Sequence, residues 1–156
     1  TATSTSCSTP WGSLPKASSP MVAGPLTGVR SGRHDCFDRL VIDLTGVAPG
    51  FSVRYVNVVV SEGRGSVVPL RGGAKLQVVV RAPAYSANGT ASFRPSNSAE
   101  VVNVAGYATF RQVAWAGSFE GQTTLGLGVR ARLPFRAFTI QDARSSRLVL
   151  DVAHHW

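Results

Sequence analysis

Acid is scarce in this chain and lysine nearly absent: eight Asp and Glu stand against sixteen Lys and Arg, and the only lysines are Lys16 and Lys75. The formal net charge of +8 therefore rests on arginine, whose planar guanidinium favours two-point contact with carboxylate or phosphate over point-charge attraction. These charges are scattered through strand and turn patterns. They form no stripe, Lys/Arg-rich tract or RNP-like motif, so no nucleic-acid partner is expected. Long apolar runs are missing too. Nothing approaches the ~20 residues that a membrane-spanning helix needs, and no transmembrane segment is expected in this chain. Cysteine is limited to Cys7 and Cys36. With no His or Cys at metal-ligand spacing, the pair reads as a disulfide in preference to a zinc site, free thiols being the remaining alternative. A disulfide points to an oxidising, extracytoplasmic setting, so the expectation is a secreted or surface-anchored protein with no metal and no cofactor.

What the chain does have is strand signal. At 156 residues, 44% hydrophobic and mean hydropathy +0.08, it can build one packed core. The hexapeptide Arg39-Leu-Val-Ile-Asp-Leu44 returns almost unchanged as Arg147-Leu-Val-Leu-Asp-Val152. Each copy alternates, sending Leu40, Ile42 and Leu44, or Leu148, Leu150 and Val152, to one face and Arg, Val and Asp to the other. Candidate strands follow at 29–33, 37–44, 52–60, 75–81, 101–104, 109–119, 123–133, 135–140 and 147–153. They are separated by Gly, Pro, Asn and Ser turns, as in an all-β sandwich or barrel with internal pseudo-symmetry. Residues 1–27, with Pro10, Pro15, Pro20 and Pro25 evenly spaced, read as an extended segment, partly packed through Cys7, Trp11 and Leu14, ahead of a domain over 28–156. Residues 82–97 read as a long loop.

Several residue groups carry candidate chemistry. If the two hexapeptides lie side by side and antiparallel, Arg39 opposes Asp151 and Asp43 opposes Arg147, which predicts two structural ion pairs across the strands. The stretch Gly32-Arg-His-Asp-Cys-Phe-Asp-Arg39 gathers Arg33, His34, Asp35 and Asp38 at a turn. There a hydrolytic centre on His34, Asp35 and Asp38 competes with a structural role in which Asp35 bonds turn amides and Asp38 faces an arginine. His154 and His155 alternate in direction and argue against a metal site; Trp156 reads as a cover for the sheet edge. The run Gly126-Leu-Gly-Val-Arg-Ala131 copies a dinucleotide-binding spacing, but its alternating neighbours make it a strand and not a helix start. Its glycines leave room for Trp115 or Phe119 to lie over the backbone. Arg111, Trp115, Arg130 and Arg132, with Arg33 and His34, form the candidate ligand-binding set, able to stack on a sugar ring and fork onto an anion. The competing reading keeps Trp115 in the core.

Taken in order, Trp11-Gly-Ser-Leu-Pro-Lys16, Gly32-Arg-His-Asp35, Phe37-Asp-Arg-Leu-Val-Ile-Asp43, Pro49-Gly-Phe-Ser-Val-Arg-Tyr-Val56, Gly117-Ser-Phe-Glu-Gly121, Gly126-Leu-Gly-Val-Arg-Ala-Arg-Leu-Pro-Phe135 and Arg147-Leu-Val-Leu-Asp-Val-Ala-His154 resemble the AMIN-like domain of actinobacterial secreted and lipoprotein-type cell-envelope proteins. The resemblance implies a pseudo-symmetric sandwich of two small β-sheets. It also implies a non-catalytic module, since AMIN relatives direct periplasmic amidases and secretins to the cell wall, with peptidoglycan as the proposed ligand. The expected partner is therefore a cell-wall polymer, peptidoglycan or another anionic glycan. The alternatives are an envelope enzyme bound through a sheet edge or the 82–97 loop, or hydrolysis at His34, Asp35 and Asp38.

Overall fold

Period-two alternation decides which side of each strand is buried, and the buried sides of two sheets meet. A computed structural model describes residues 7–18 and 24–156; Pro20 of the proline series lies outside them. The strands are β1 Lys16–Ala17, β2 Leu26–Arg33, β3 Phe37–Thr45, β4 Phe51–Val56, β5 Val59–Val60, β6 Val67–Val68, β7 Ala74–Val80, β8 Phe110–Phe119, β9 Gln122–Val129, β10 Phe135–Gln141 and β11 Ser145–Ala153. They pair antiparallel as a five-stranded sheet in the order β1-β4-β7-β9-β8, a four-stranded sheet in the order β10-β11-β3-β2, and the small hairpin β5-β6. Among the described residues no helix is long and apolar enough to cross a membrane.

The two hexapeptides are the central pair of the four-stranded sheet. β11 runs antiparallel to β3 with Leu150 opposite Leu40, Asp151 opposite Arg39 and Arg147 opposite Asp43. Their inner leucines and isoleucine pack against Val53, Leu76, Val78, Leu125 and Leu127 of the five-stranded sheet. This buried layer is the core.

β9 departs from simple alternation, being buried on both faces from Thr123 onward. Its outer face is covered by the chain after β6. A Cβ on Gly126 would meet Leu70 at 2.8 Å, and one on Gly128 would collide with the Arg71 carbonyl. The cover is thus residues 70–71, not Trp115 or Phe119. At Gly128 glycine is needed because the Arg71 backbone lies against the strand, while at Gly126 the neighbour is the Leu70 side chain. Phe119 instead stands exposed near Gly63 of the β5-β6 hairpin.

Other departures from the sequence reading have local causes. The 52–60 segment breaks at Asn57-Val58 into β4 and β5. Residues 101–104 form turns: Asn103 Oδ1 accepts the Ala105 amide at 3.0 Å and the Tyr107 amide bonds the Val104 carbonyl at 3.1 Å, a side-chain alternative to ladder pairing. The N-terminal segment is tied down by the Cys7–Cys36 disulfide, by Trp11 packed edge-on against Phe37 at 5.8 Å, and by β1 on β4. Leu14 does not join it. Lys16 Nζ gathers the carbonyls of Trp11 and Leu14 at 3.0 and 3.3 Å, and the resulting turn leaves Leu14 71% exposed. Trp156 covers no edge either: it is exposed, with its indole N–H donated to the Arg132 carbonyl at 3.0 Å.

Candidate binding face

Alternation along β3, β10 and β11 sends Phe37 and Arg39, Arg136 and Phe138, and Asp151 to the outer side of the four-stranded sheet. Asp151 is flanked on both sides by arginine, Arg39 opposite it on β3 and Arg136 opposite it on β10. Arg39 forks onto its carboxylate at 2.7 and 2.9 Å, and Arg136 Nε donates at 2.8 Å. The carboxylate is fully buried beneath these two cations, which themselves remain 28% and 40% exposed. Hydrogen bonding to Asp151, partly offset by burial, raises the pKa of Arg39.

Aromatic rings complete the face. The Arg136 guanidinium lies 4.5 Å from the Trp11 ring centre and 5.4 Å from those of Phe37 and Phe138. Arg39 lies 5.3 Å from Phe37 and 5.8 Å from Phe138. Two cations share one anion, so the cluster carries a formal surplus of one positive charge. Cation–π contact orients the planar guanidiniums. Arg136 gives Nε to Asp151, and among the described residues its two terminal nitrogens meet no acceptor. Such a face can stack on a flat ring and hydrogen-bond an anion together.

Sequence reasoning missed Arg136 and Phe138. The available signal was Phe138 on the polar side of an alternating strand, but its meaning depends on knowing that β10 borders β11. Asp43 and Arg147 share a register position yet do not pair. Asp43 takes Arg30 of β2 at 2.7 and 2.9 Å, its carboxylate lying over Gly28, where a Cβ would come within 3.4 Å of Oδ2. Arg147 turns to Asp142 at 3.1 Å.

The structure does not gather Arg111, Trp115, Arg130 and Arg132 on one surface. β8 is bulged between Phe110 and Gln112 and between Trp115 and Gly117, and β9 ends at Val129, so strict alternation fails where it was extrapolated. Arg111 bonds the carbonyls of Tyr107, Ala108 and Phe110. Trp115 packs on Phe93 and the core, and borders a groove of about 560 Å³ beside β6. Arg130 donates to the His154 carbonyl; Arg132 bonds Ser13 and lies over Tyr55. Arg33 lies over Tyr107, and the His34 ring stacks on Phe37 at 4.7 Å.

His34, Asp35 and Asp38 do not converge on a cleft. Asp38 is buried and accepts the Thr109 and Phe110 amides at 2.7 and 3.0 Å; it faces backbone N–H groups, not an arginine. Asp35 is exposed and bonds no turn amide among the described residues. The imidazole nearest Asp38 belongs to His154, whose Nε2 is 4.0 Å from Oδ1 and 2.9 Å from the His34 carbonyl, with Nδ1 2.7 Å from the buried Thr109 hydroxyl. Among the described residues no cluster of His, Cys, Asp and Glu could hold a metal ion.

A family model, that of the AMIN-like domain, matches residues 24–154. No curated protein and no solved structure matches. AMIN-like domains are extracytoplasmic, cell-envelope-associated binding or interaction modules and are generally non-catalytic, in keeping with the disulfide. With both hexapeptides, the central strands and the flanking arginines inside the matched span, the chain belongs to the AMIN-like domain family.

Proposed function

We propose that this protein is a non-catalytic module that binds a cell-wall polymer, peptidoglycan or another anionic glycan, through the outer face of its four-stranded sheet. The observation that carries this reading is the pair Arg39 and Arg136 on one buried carboxylate, walled by Trp11, Phe37 and Phe138. A flat face suits an extended polymer: rings stack on sugars while the surplus positive charge attracts carboxylate or phosphate. The protein acts outside the cytoplasm, secreted or anchored at the surface. Sedimentation with insoluble cell wall tests this. The wild type is retained, released by added salt, and retained less after Arg136→Glu; retention no better than that of a neutral control domain refutes the reading.

A second reading, docking of an envelope protein, is favoured by the β5-β6 hairpin. There Val60 and Val67 are exposed cross-strand neighbours, Phe119 is exposed nearby, and the groove beside Trp115 is mainly apolar. The 82–97 loop is less suited. It is tied down by Ala84 N on Ser118 Oγ at 2.9 Å and, midway, by Ser92 Oγ on the Leu26 carbonyl at 2.7 Å. Val67→Glu distinguishes the two: it abolishes protein capture under the second reading and leaves wall retention intact under the first.

A further inference from the structure

A third group of cations lies apart from both surfaces. Where β4 ends and β7 begins, a cavity of about 410 Å³ is lined by Arg54, Tyr55, Asn57, Gly73, Lys75 and Arg132, among others. The register explains the convergence. Arg54 opposes Gln77 and Val56 opposes Lys75, so Arg54 and Lys75 project from the same face of adjacent strands. Arg132 arrives from beyond the end of β9, with its guanidinium 5.0 Å from the Tyr55 ring centre, its Nε held by Ser13 Oγ at 3.0 Å and one terminal nitrogen by the Ser13 carbonyl at 3.2 Å. Tyr55 is fixed in turn, its hydroxyl donating to the Leu133 carbonyl at 2.7 Å and accepting the Leu133 amide at 2.8 Å.

No carboxylate lines this cavity. Arg54, Lys75 and Arg132 meet no Asp or Glu among the described residues, so no carboxylate neutralises the cations that line this one concavity. Lys75 Nζ makes one bond, to the Asn57 carbonyl at 3.3 Å, and keeps further donors. Three like charges held around one concavity repel each other, and a bound anion relieves that repulsion. A planar carboxylate offers two oxygens in one plane. A phosphate offers tetrahedral oxygens that cations from three directions can reach, and guanidinium forks match it.

We propose that this cavity is a binding site for a phosphate group. The group could come from a polyol-phosphate polymer, an anionic phospholipid headgroup or free inorganic phosphate. The inference rests on the cavity alone and does not require the glycan-binding face. Calorimetric titration of the full chain with inorganic phosphate, polyglycerol phosphate and phosphatidylglycerol vesicles, with acetate as the carboxylate probe, tests it. At least one phosphate probe binds saturably and far more tightly than acetate, and the probe that binds most tightly names the source. Arg54→Gln with Lys75→Gln weakens that binding by roughly tenfold or more, the scale of a lost charge-assisted bond. Arg54→Lys, which keeps the charge, retains most of it, and Arg144→Gln, at an exposed arginine outside the cavity, leaves it unchanged. Phosphate binding no tighter than acetate binding overturns the proposal. So does phosphate binding that survives the double substitution or is lost equally in Arg144→Gln. Wall retention that persists in the double variant leaves the glycan-binding face standing, so the two readings fail separately.

Discussion

Asp43 and Asp151 hold the same place in two copies of one hexapeptide, yet their surroundings are opposite. Asp151 lies between Arg39 and Arg136 in register and is fully buried. Asp43 lies between Arg147 and Gly28 and is 28% exposed, with a partner, Arg30, that is 57% exposed. The difference comes from the flanks. β10 offers an arginine and the N-terminal segment lays Trp11 over it, while the edge strand β2 offers a glycine. A repeated strand therefore specifies a register and not an environment. Removing one partner of a buried charge cluster is costly, whereas exposed pairs contribute little.

The sharpest way to break the comparison is Asp151→Ala. It leaves two guanidiniums facing each other without their anion, and a loss of about 3–5 kcal/mol is expected in urea unfolding. A loss matching that of Asp43→Ala would show that burial does not separate the two sites. Cys7→Ser probes the cover. Cys7 and Cys36 are 29 residues apart, and opening such a loop is expected to cost about 3–4 kcal/mol in the chain-entropy account. Because Cys7 also restrains the segment that carries Trp11, Asp151→Ala is expected to cost less in the Cys7→Ser background than in the wild type, a non-additivity that a double-mutant cycle measures.

How much of this was legible in sequence depends on whether a feature is local to a strand. Alternation in 37–44 and 147–153 was readable; the register that sets Arg39 against Asp151 followed from matched spacing only on the condition that the two strands lie side by side and antiparallel, which β3 and β11 meet. The partner of Asp43 was not readable, since Arg30 reaches it only through the pairing of β2 with β3. Arg130 and Arg132 were assigned to a face by extending the alternation of β9 past Val129, where the strand stops. Val67-Val68 was too short and too close to glycine and proline to register as a strand. The apolar run at 101–104 resembled one, but its asparagine makes a turn instead.

Tyr55 sharpens the comparison by separating burial from charge. It is a neutral, half-buried group whose hydroxyl satisfies both the amide and the carbonyl of Leu133. Tyr55→Phe is expected to cost about 1–3 kcal/mol, between the two aspartates, because it strands buried backbone groups without stranding a charge. Burial raises the pKa of this hydroxyl above its ordinary 10.0. The folded protein thus keeps a proton that the unfolded chain releases, so this contribution is present below pH 10 and is lost as pH rises through the folded value. Lys16, lowered by burial, works in the opposite direction. Stability followed from pH 8 to 11 in the wild type and in Tyr55→Phe isolates the tyrosine: the alkaline decline is expected to be shallower in the variant.

The smallest effect belongs to Asp43→Asn. Its bonds to Arg30 are short, 2.7 and 2.9 Å, and two-pronged, which would suggest strength if geometry alone decided. Solvent argues otherwise. Water screens a pair this exposed, and ordering the long Arg30 side chain costs entropy, so the pair is expected to contribute less than about 1 kcal/mol. Measured at low and at high salt, the loss in Asp43→Asn is expected to shrink as ionic strength rises, while the cost of Asp151→Ala stays nearly constant because its carboxylate is out of reach of counter-ions. Equal salt dependence at the two sites would mean that Arg39 and Arg136 do not seal Asp151 from solvent, and the outer face of the four-stranded sheet would then be a row of ordinary surface ion pairs.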